Sequence, residues 1–181
     1  MRRFLLLITL LLSVFILHSQ DYTIEGNSIK MEKIVENTNM DIETANGVLI
    51  TYLSKIYNDL NTTLKSNTTN NIVVKGIYSD VTRFKMNAWW TNVYHQLVIS
   101  IKDNRVRIVI ETSKVQLQSS QTTEDRWITD FYPINPKASI SYIYMSKAKS
   151  EEFINTTTSL MKNTIATIED ALRNHEAEED W

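Results

Sequence analysis

Two alternating segments that meet at a short polar reversal constrain this chain more than any other feature. Val93, Leu97, Ile99 and Ile101 alternate with Tyr94, Gln96, Ser100 and Lys102. After Asp103-Asn104, Val106, Ile108 and Ile110 alternate with Arg105, Arg107 and Glu111. A period of two marks a strand with one buried face. Asp and Asn tolerate the positive φ that a two-residue type I′ turn requires. With the loop at Asp103-Asn104, the register follows. Ile101 faces Val106, Ile99 faces Ile108 and Leu97 faces Ile110. The opposite face pairs Ser100 with Arg107, Val98 with Val109 and Gln96 with Glu111. Near the turn one face is wholly aliphatic and the other mostly polar, as in an antiparallel sheet packed on one side and wet on the other.

Further elements flank this hairpin. Residues 21–27 are a mostly polar lead-in, and Ser28–Val35 partly alternates, which predicts a first strand. Thr38 and Asp41 resemble a capping box. Ile42, Ala45, Leu49, Tyr52, Leu53, Ile56, Leu60 and Leu64 then recur mostly at spacings of three and four, predicting an amphipathic helix of roughly six turns. Gly47 weakens that helix by up to about 1 kcal/mol relative to Ala, unless it serves a close approach to the sheet. Ser66–Asn71 holds no apolar residue and ends the helix. Ile72–Tyr78 reads as a short strand whose Gly76 marks a bulge or a close backbone contact. Residues 118–126 read as a polar loop, 130–136 as irregular, and Ser139–Met145 as a last strand. A second helix is expected from near Ser150, with Glu151 and Glu152 in its first turn, where the helix dipole favours negative charge. Its apolar stripe is Phe153, Thr157, Leu160, Met161, Ile165, Ile168 and Leu172. The tail 176–181 is acidic. The expected architecture is α+β: a curved antiparallel sheet of about five strands with two long helices on one face, in the order β-α-β-β-β-β-α.

Met1-Arg2-Arg3, the apolar run Phe4–Leu17 and the polar His18-Ser19-Gln20-Asp21 have the order of a cleavable signal peptide. The run is shorter than the about 20 apolar residues that span a bilayer. The expectation is cleavage after Ser19 and a single domain over 20–181, periplasmic or extracellular. The chain contains no cysteine, so disulfides and a cysteine-anchored lipoprotein are both excluded, although the compartment would permit disulfides. Removing Arg2 and Arg3 from the 19 basic residues leaves 17 against 21 acidic ones, a net charge of −4. Without a Lys/Arg run, the chain has no electrostatic footprint for nucleic acid. Only three Gly and two Pro occur, which favours long elements over loops.

Three segments together resemble a known family: Leu53-Ser54-Lys55-Ile56-Tyr57, the strand ending Val74-Lys75-Gly76, and the run Leu97-Val98-Ile99-Ser100-Ile101-Lys102-Asp103-Asn104-Arg105. The family is the TATA-binding-protein-like domain of unknown function found in exported proteins of Bacteroides-type bacteria, and the similarity spans residues 29–117. It departs at Asn104, where the family tends to have Gly, and at 118–150. The resemblance implies a TATA-binding-protein-like fold and an envelope location. It brings no catalytic or binding residues and says nothing of DNA.

Catalytic signals are sparse. By the register His95 lies on the apolar face opposite Thr112, a half-buried sheet histidine with one hydrogen bond. A general base would need a nucleophile and an orienting acid nearby. His175 is distant from it, so no metal site is expected. Glu43, Asp59, Asp80, Glu111, Asp130, Glu169 and Asp170 are spread along the chain, and Glu111 faces Gln96 with no opposite charge across. Asn61, Asn67 and Asn155 match the glycosylation acceptor pattern by chance. The aromatic clusters are more informative: Met86, Trp89, Trp90 and Tyr94 in one, and Trp127, Phe131 and Tyr132 in the other. Adjacent tryptophans in one strand point to opposite faces, so at least one of Trp89 and Trp90 belongs to the outer face. The expectation is a non-enzymatic exported domain without cofactor. It would contact a protein partner or a small apolar or sugar ligand through Trp89, Trp90, Tyr94 and Trp127. Two alternatives are an apolar-ligand carrier with a cavity between sheet and helix, and a hydrolase using acids or His95.

Overall fold

The computed structural model describes residues 22–25, 28–57, 59–84, 86, 88–120, 126–128, 139–140, 143–144 and 147–174. The segment 1–19 expected to be a signal peptide, the tail 176–181, His175, Asp130, Phe131 and Tyr132 lie outside the described residues. A main antiparallel sheet is built from β1 (Tyr22–Glu25), β2 (Ser28–Glu36), β3 (Leu64–Thr68), β4 (Asn71–Tyr78), β6 (Trp89–Lys102) and β7 (Arg105–Ser119), in the spatial order β1-β2-β7-β6-β4-β3. Two short strands extend it at the open end of the central hairpin: β5 (Arg83–Phe84) beside β6 and β8 (Arg126–Ile128) beside β7. The helices are α1 (Ile42–Ile56), the single turn α2 (Leu60–Thr63) and α3 (Lys147–Asn174).

The hairpin register is the one the alternation dictates. Ile101 pairs with Val106, Ile99 with Ile108 and Leu97 with Ile110, while Ser100, Val98 and Gln96 face Arg107, Val109 and Glu111. The aliphatic set is buried. α1 packs on β6 and on α3, and α3 packs on β2, so both helices shield the aliphatic side. Phe153, Met161, Ile168 and Leu172 of α3 and Leu49 and Leu53 of α1 have no solvent-accessible surface. Side chains therefore fill the space between sheet and helices. Lys33 of β2 meets Glu169 of α3 at 3.5 Å, an ion pair that links the sheet edge to the helix.

Several local expectations need correction. Of the two turn residues only Asn104 takes a positive φ, 56°, which is not the type I′ arrangement. The Asn104 backbone N–H donates to Met40 O (3.1 Å) and its carbonyl accepts from Thr38 N, so the preceding loop, not the turn alone, sets its geometry. The cap of α1 is Asp41, whose carboxylate accepts from Thr44 N at 2.8 Å; Thr38 lies in the loop before it. α1 stops at Ile56, four turns rather than six. The Asp59 carboxylate caps a separate turn through Thr62 N, and Leu64 begins strand β3. The polar Ser66–Asn71 stretch, expected to end the helix, instead forms the β3–β4 hairpin, because β3 needs little burial at the sheet edge. Ile56 is 40% exposed. A Cβ added at Gly47 would meet nothing within 4 Å, so Gly47 serves no close approach.

The lead-in contains β1, which pairs Tyr22 with Met31 and Ile24 with Ile29. The expected last strand is instead a two-stranded ladder, β9 (Ser139–Ile140) with β10 (Ile143–Tyr144), apart from the main sheet. α3 starts at Lys147, which moves Glu151 and Glu152 out of its first turn. β7 runs on to Ser119, and the stretch read as loop and irregular segment contains β8. The sheet thus has eight strands rather than about five.

Candidate functional site

Strand alternation separates the two tryptophans. Trp89 turns inward and is 7% exposed, part of the core. Trp90 turns to the face opposite the helices, half-buried, and its indole Nε1 donates to Gln118 Oε1 at 3.0 Å. The same face carries Asn92 and Tyr94 on β6, cross-strand from Gln116 and Lys114 on β7. Asn92 Nδ2 donates to Gln118 Oε1 (3.0 Å) and Gln116 Oε1 (3.4 Å). The Tyr94 hydroxyl donates to Gln116 Oε1 (3.2 Å). Asn92 Oδ1 accepts from Asp80 N at 3.0 Å. Lys114 Nζ sits 4.7 Å above the Tyr94 ring, within cation–π range. Two glutamine carbonyls thus collect four donors from aromatic and amide groups, which fixes the ring orientations. Met86, in the β5–β6 connection, is fully exposed.

Of the residues singled out in the sequence, Trp90 and Tyr94 belong to this cluster and Trp89 does not. Trp127 lies in β8 with its backbone opposite Gln116, at a register position beside the cluster; its side chain is outside the described part. The sequence reading missed Asn92, Gln116 and Gln118. Asn92 follows from the alternation of β6, but plain alternation turns Gln116 and Gln118 inward, and only the extra residue Ser113 brings them to the outer face.

One row further along the hairpin the register shifts between Tyr94 and His95, placing an extra residue, Ser113, in β7. His95 then points inward, opposite Thr112 as the turn dictates, and is 2% exposed, fully rather than half-buried. It keeps one hydrogen bond, with the Tyr57 hydroxyl 3.1 Å from Nε2, and stacks on Tyr78 at 4.1 Å. Nδ1 has no partner at hydrogen-bond geometry. Burial pushes the His95 pKa down to about 4, opposed weakly by the Val93 backbone, so the ring is neutral at ordinary pH. Burial also raises Tyr57 and pushes Tyr78 up to about 12, against the opposing hydrogen bond with Thr164. Gly76 completes the cluster. A Cβ there would lie 2.6 Å from both His95 Nε2 and Tyr57 Cε1, which is the close contact expected of that glycine. Among the described residues no carboxylate is hydrogen-bonded to His95; its neighbours there are the Tyr57 phenol, the Tyr78 ring face and the Gly76 backbone.

The carboxylates are dispersed. Asp80 is paired with Arg83, and Glu169 with Arg173 as well as Lys33. Glu32 forms a two-pronged pair with Arg107 (2.7 and 2.8 Å) that holds its pKa below the usual range. Glu111 has Gln96 on one side, but β2 brings Lys30 opposite it on the other, a neighbour the hairpin alone does not reveal. An open groove of about 700 Å³ runs between β1–β2 and α3. Its lining includes Glu25, Lys30, Glu32, Lys33, Lys162 and Glu169. Among the described residues no helix is long and apolar enough to cross a membrane.

An eight-stranded antiparallel sheet with helices on one face, arranged in this strand order, defines a TATA-binding-protein-like α+β fold. Two solved structures share it. One is a TBP-like protein from Parabacteroides distasonis, with a TM-score of 0.62 and 19% sequence identity, covering 84% of this chain and 97% of that one. The other is a DUF4468 family protein from Bacteroides ovatus, with a TM-score of 0.56 and 13% identity, covering 85% and 91%. Both come from Bacteroides-type bacteria, and the likeness is one of fold. No family model and no curated protein matches the chain.

Proposed function

We propose that this protein is a non-enzymatic exported binding domain whose outer sheet face, centred on Trp90 and Tyr94, contacts a protein partner or a small ligand in the bacterial envelope. The observation that carries this reading is the hydrogen-bonded set Trp90–Gln118–Asn92–Gln116–Tyr94. Helices pack on the opposite side of the sheet, and this set lies on the side that they leave. Aromatic rings held in fixed orientation by amides lose little conformational entropy when a partner docks, and tryptophan and tyrosine dominate binding hot spots. The basic-then-apolar N-terminus supports export.

The carrier reading gains less support. The sheet–helix space is packed, and the large groove is lined mainly by charge, whereas apolar-ligand sites are mostly apolar. For catalysis, His95 is buried away from solvent and offers no acid-oriented base.

The test is pull-down from envelope extract of a Bacteroides-type host with the wild type, Trp90→Ala and Met86→Ala. Loss of captured partners in Trp90→Ala alone supports the reading; equal capture by all three overturns it. The mature N-terminus, read by sequencing, is expected at Gln20.

A further inference from the structure

Among the described residues the outer face has a concave feature where the sheet is incomplete. β2 pairs with β7 as far as Lys30–Glu111, and β8 begins its pairing at Val115. Among the described residues, 112–114 of β7 have no strand partner on that side. The extra residue Ser113 lies in this gap, which is about 10 Å long at the rise of a strand. A cleft of about 350 Å³ opens there, lined by Ser28, Gln96, Glu111, Thr112 and Ser113.

The groups in the cleft are short and polar. The Glu111 carboxylate accepts one hydrogen bond, from Ser28 Oγ at 3.0 Å, out of the several a carboxylate can take. The Gln96 amide has no hydrogen-bond partner among the described residues. Ser113 Oγ reaches Tyr94 O only at 3.4 Å. Tyr94 lies two residues from Gln96 on the same face but outside the cleft's lining, with Lys114 Nζ over its ring.

From this arrangement we infer that the cleft binds a neutral saccharide, with its hydroxyls between Glu111 and Gln96. The inference deepens the outer-face binding reading and rests on it. Neighbouring sugar hydroxyls both donate and accept, which a carboxylate beside an amide satisfies pairwise. A single carboxylate supplies too few oxygens for a hard cation, and Lys30 cross-strand from Glu111 balances its charge, so the pair favours neither a cation nor an anion. An extended peptide cannot add as a strand, because β2 closes one end of the gap and β8 the other.

The test is an amide-resolved NMR titration of the full chain with glucose, galactose, mannose, N-acetylglucosamine and glucuronate. Saturable shifts confined to residues 94–96 and 111–114 are expected for at least one neutral sugar. Glu111→Gln and Gln96→Ala, each retaining native spectral dispersion, are expected to weaken that binding by about tenfold or more, the loss expected for a hydrogen bond to a charged group. Should Glu111→Gln not fold, Gln96→Ala makes the same comparison. The inference is overturned if no sugar saturates, if the shifts fall elsewhere, if both variants bind as the wild type does, or if glucuronate binds most tightly. A failed titration with partner capture still dependent on Trp90 removes the saccharide and leaves the binding face standing. Loss of both removes the face itself.

Discussion

His95 shows how much one buried side chain determines here. In the unfolded chain it titrates near 6.5, and burial in the folded protein holds it at about 4. Its folded-state pKa is depressed, so between those values the unfolded state binds the proton and the folded state does not. Stability is complete above pH 6.5, falls as pH drops towards 4 and levels off below that. The whole loss is roughly 3 kcal/mol. Urea denaturation across this range is expected to show that slope in the wild type. In His95→Gln the slope is much reduced, because the substitute does not titrate. An unchanged slope would place the titration on other groups. The position of His95 on the inner face followed from counting back from the turn. Its full burial did not, because Tyr57, Tyr78 and Gly76 come from α1's end and β4, and nothing in the local pattern brings them together.

Element boundaries followed physical cues of unequal strength. In α1 the buried positions Ala45, Leu49 and Leu53 are spaced by four and were legible as a helix face. Its end was not, because Leu60 and Leu64 continue the same spacing while the chain has already turned through an Asp59-capped turn into β3. Gly47 stands exposed inside this helix with open space where its Cβ would be. Gly47→Ala is therefore expected to stabilise the protein by about 0.5–1 kcal/mol, read as a rise in the urea midpoint at constant slope. A fall would mean that the position has a contact not seen here. Short edge strands such as β1, β5 and β8 escaped sequence reading for a common reason. Each has few residues and owes its form to the longer strand beside it.

The molecule as a whole divides into a packed side and an outer side. The hairpin alternation made the aliphatic side legible along its length, and the two helix stripes made its cover legible. The binding face was only half legible. Tryptophan adjacency showed that one ring faces outward, and the structure assigns this to Trp90, with Trp89 in the core. The amide row that holds Trp90 and Tyr94 depends on cross-strand pairing beyond the bulge at Ser113, and the shift of one residue there is invisible in the alternation. The extra residue Ser113 also lines the cleft beside Glu111, whereas the inward position of His95 is set by the count from the turn.

Hydroxyl-radical footprinting of the purified protein, alone and mixed with envelope extract from a Bacteroides-type host, tests most directly whether the outer face is where this protein meets its partner. The result expected is reduced modification of Trp90 and Tyr94 in the extract, with Ile56 at the end of α1 modified equally in both. Equal modification of Trp90 and Tyr94 in the two conditions, or protection confined to the helical side, would contradict it.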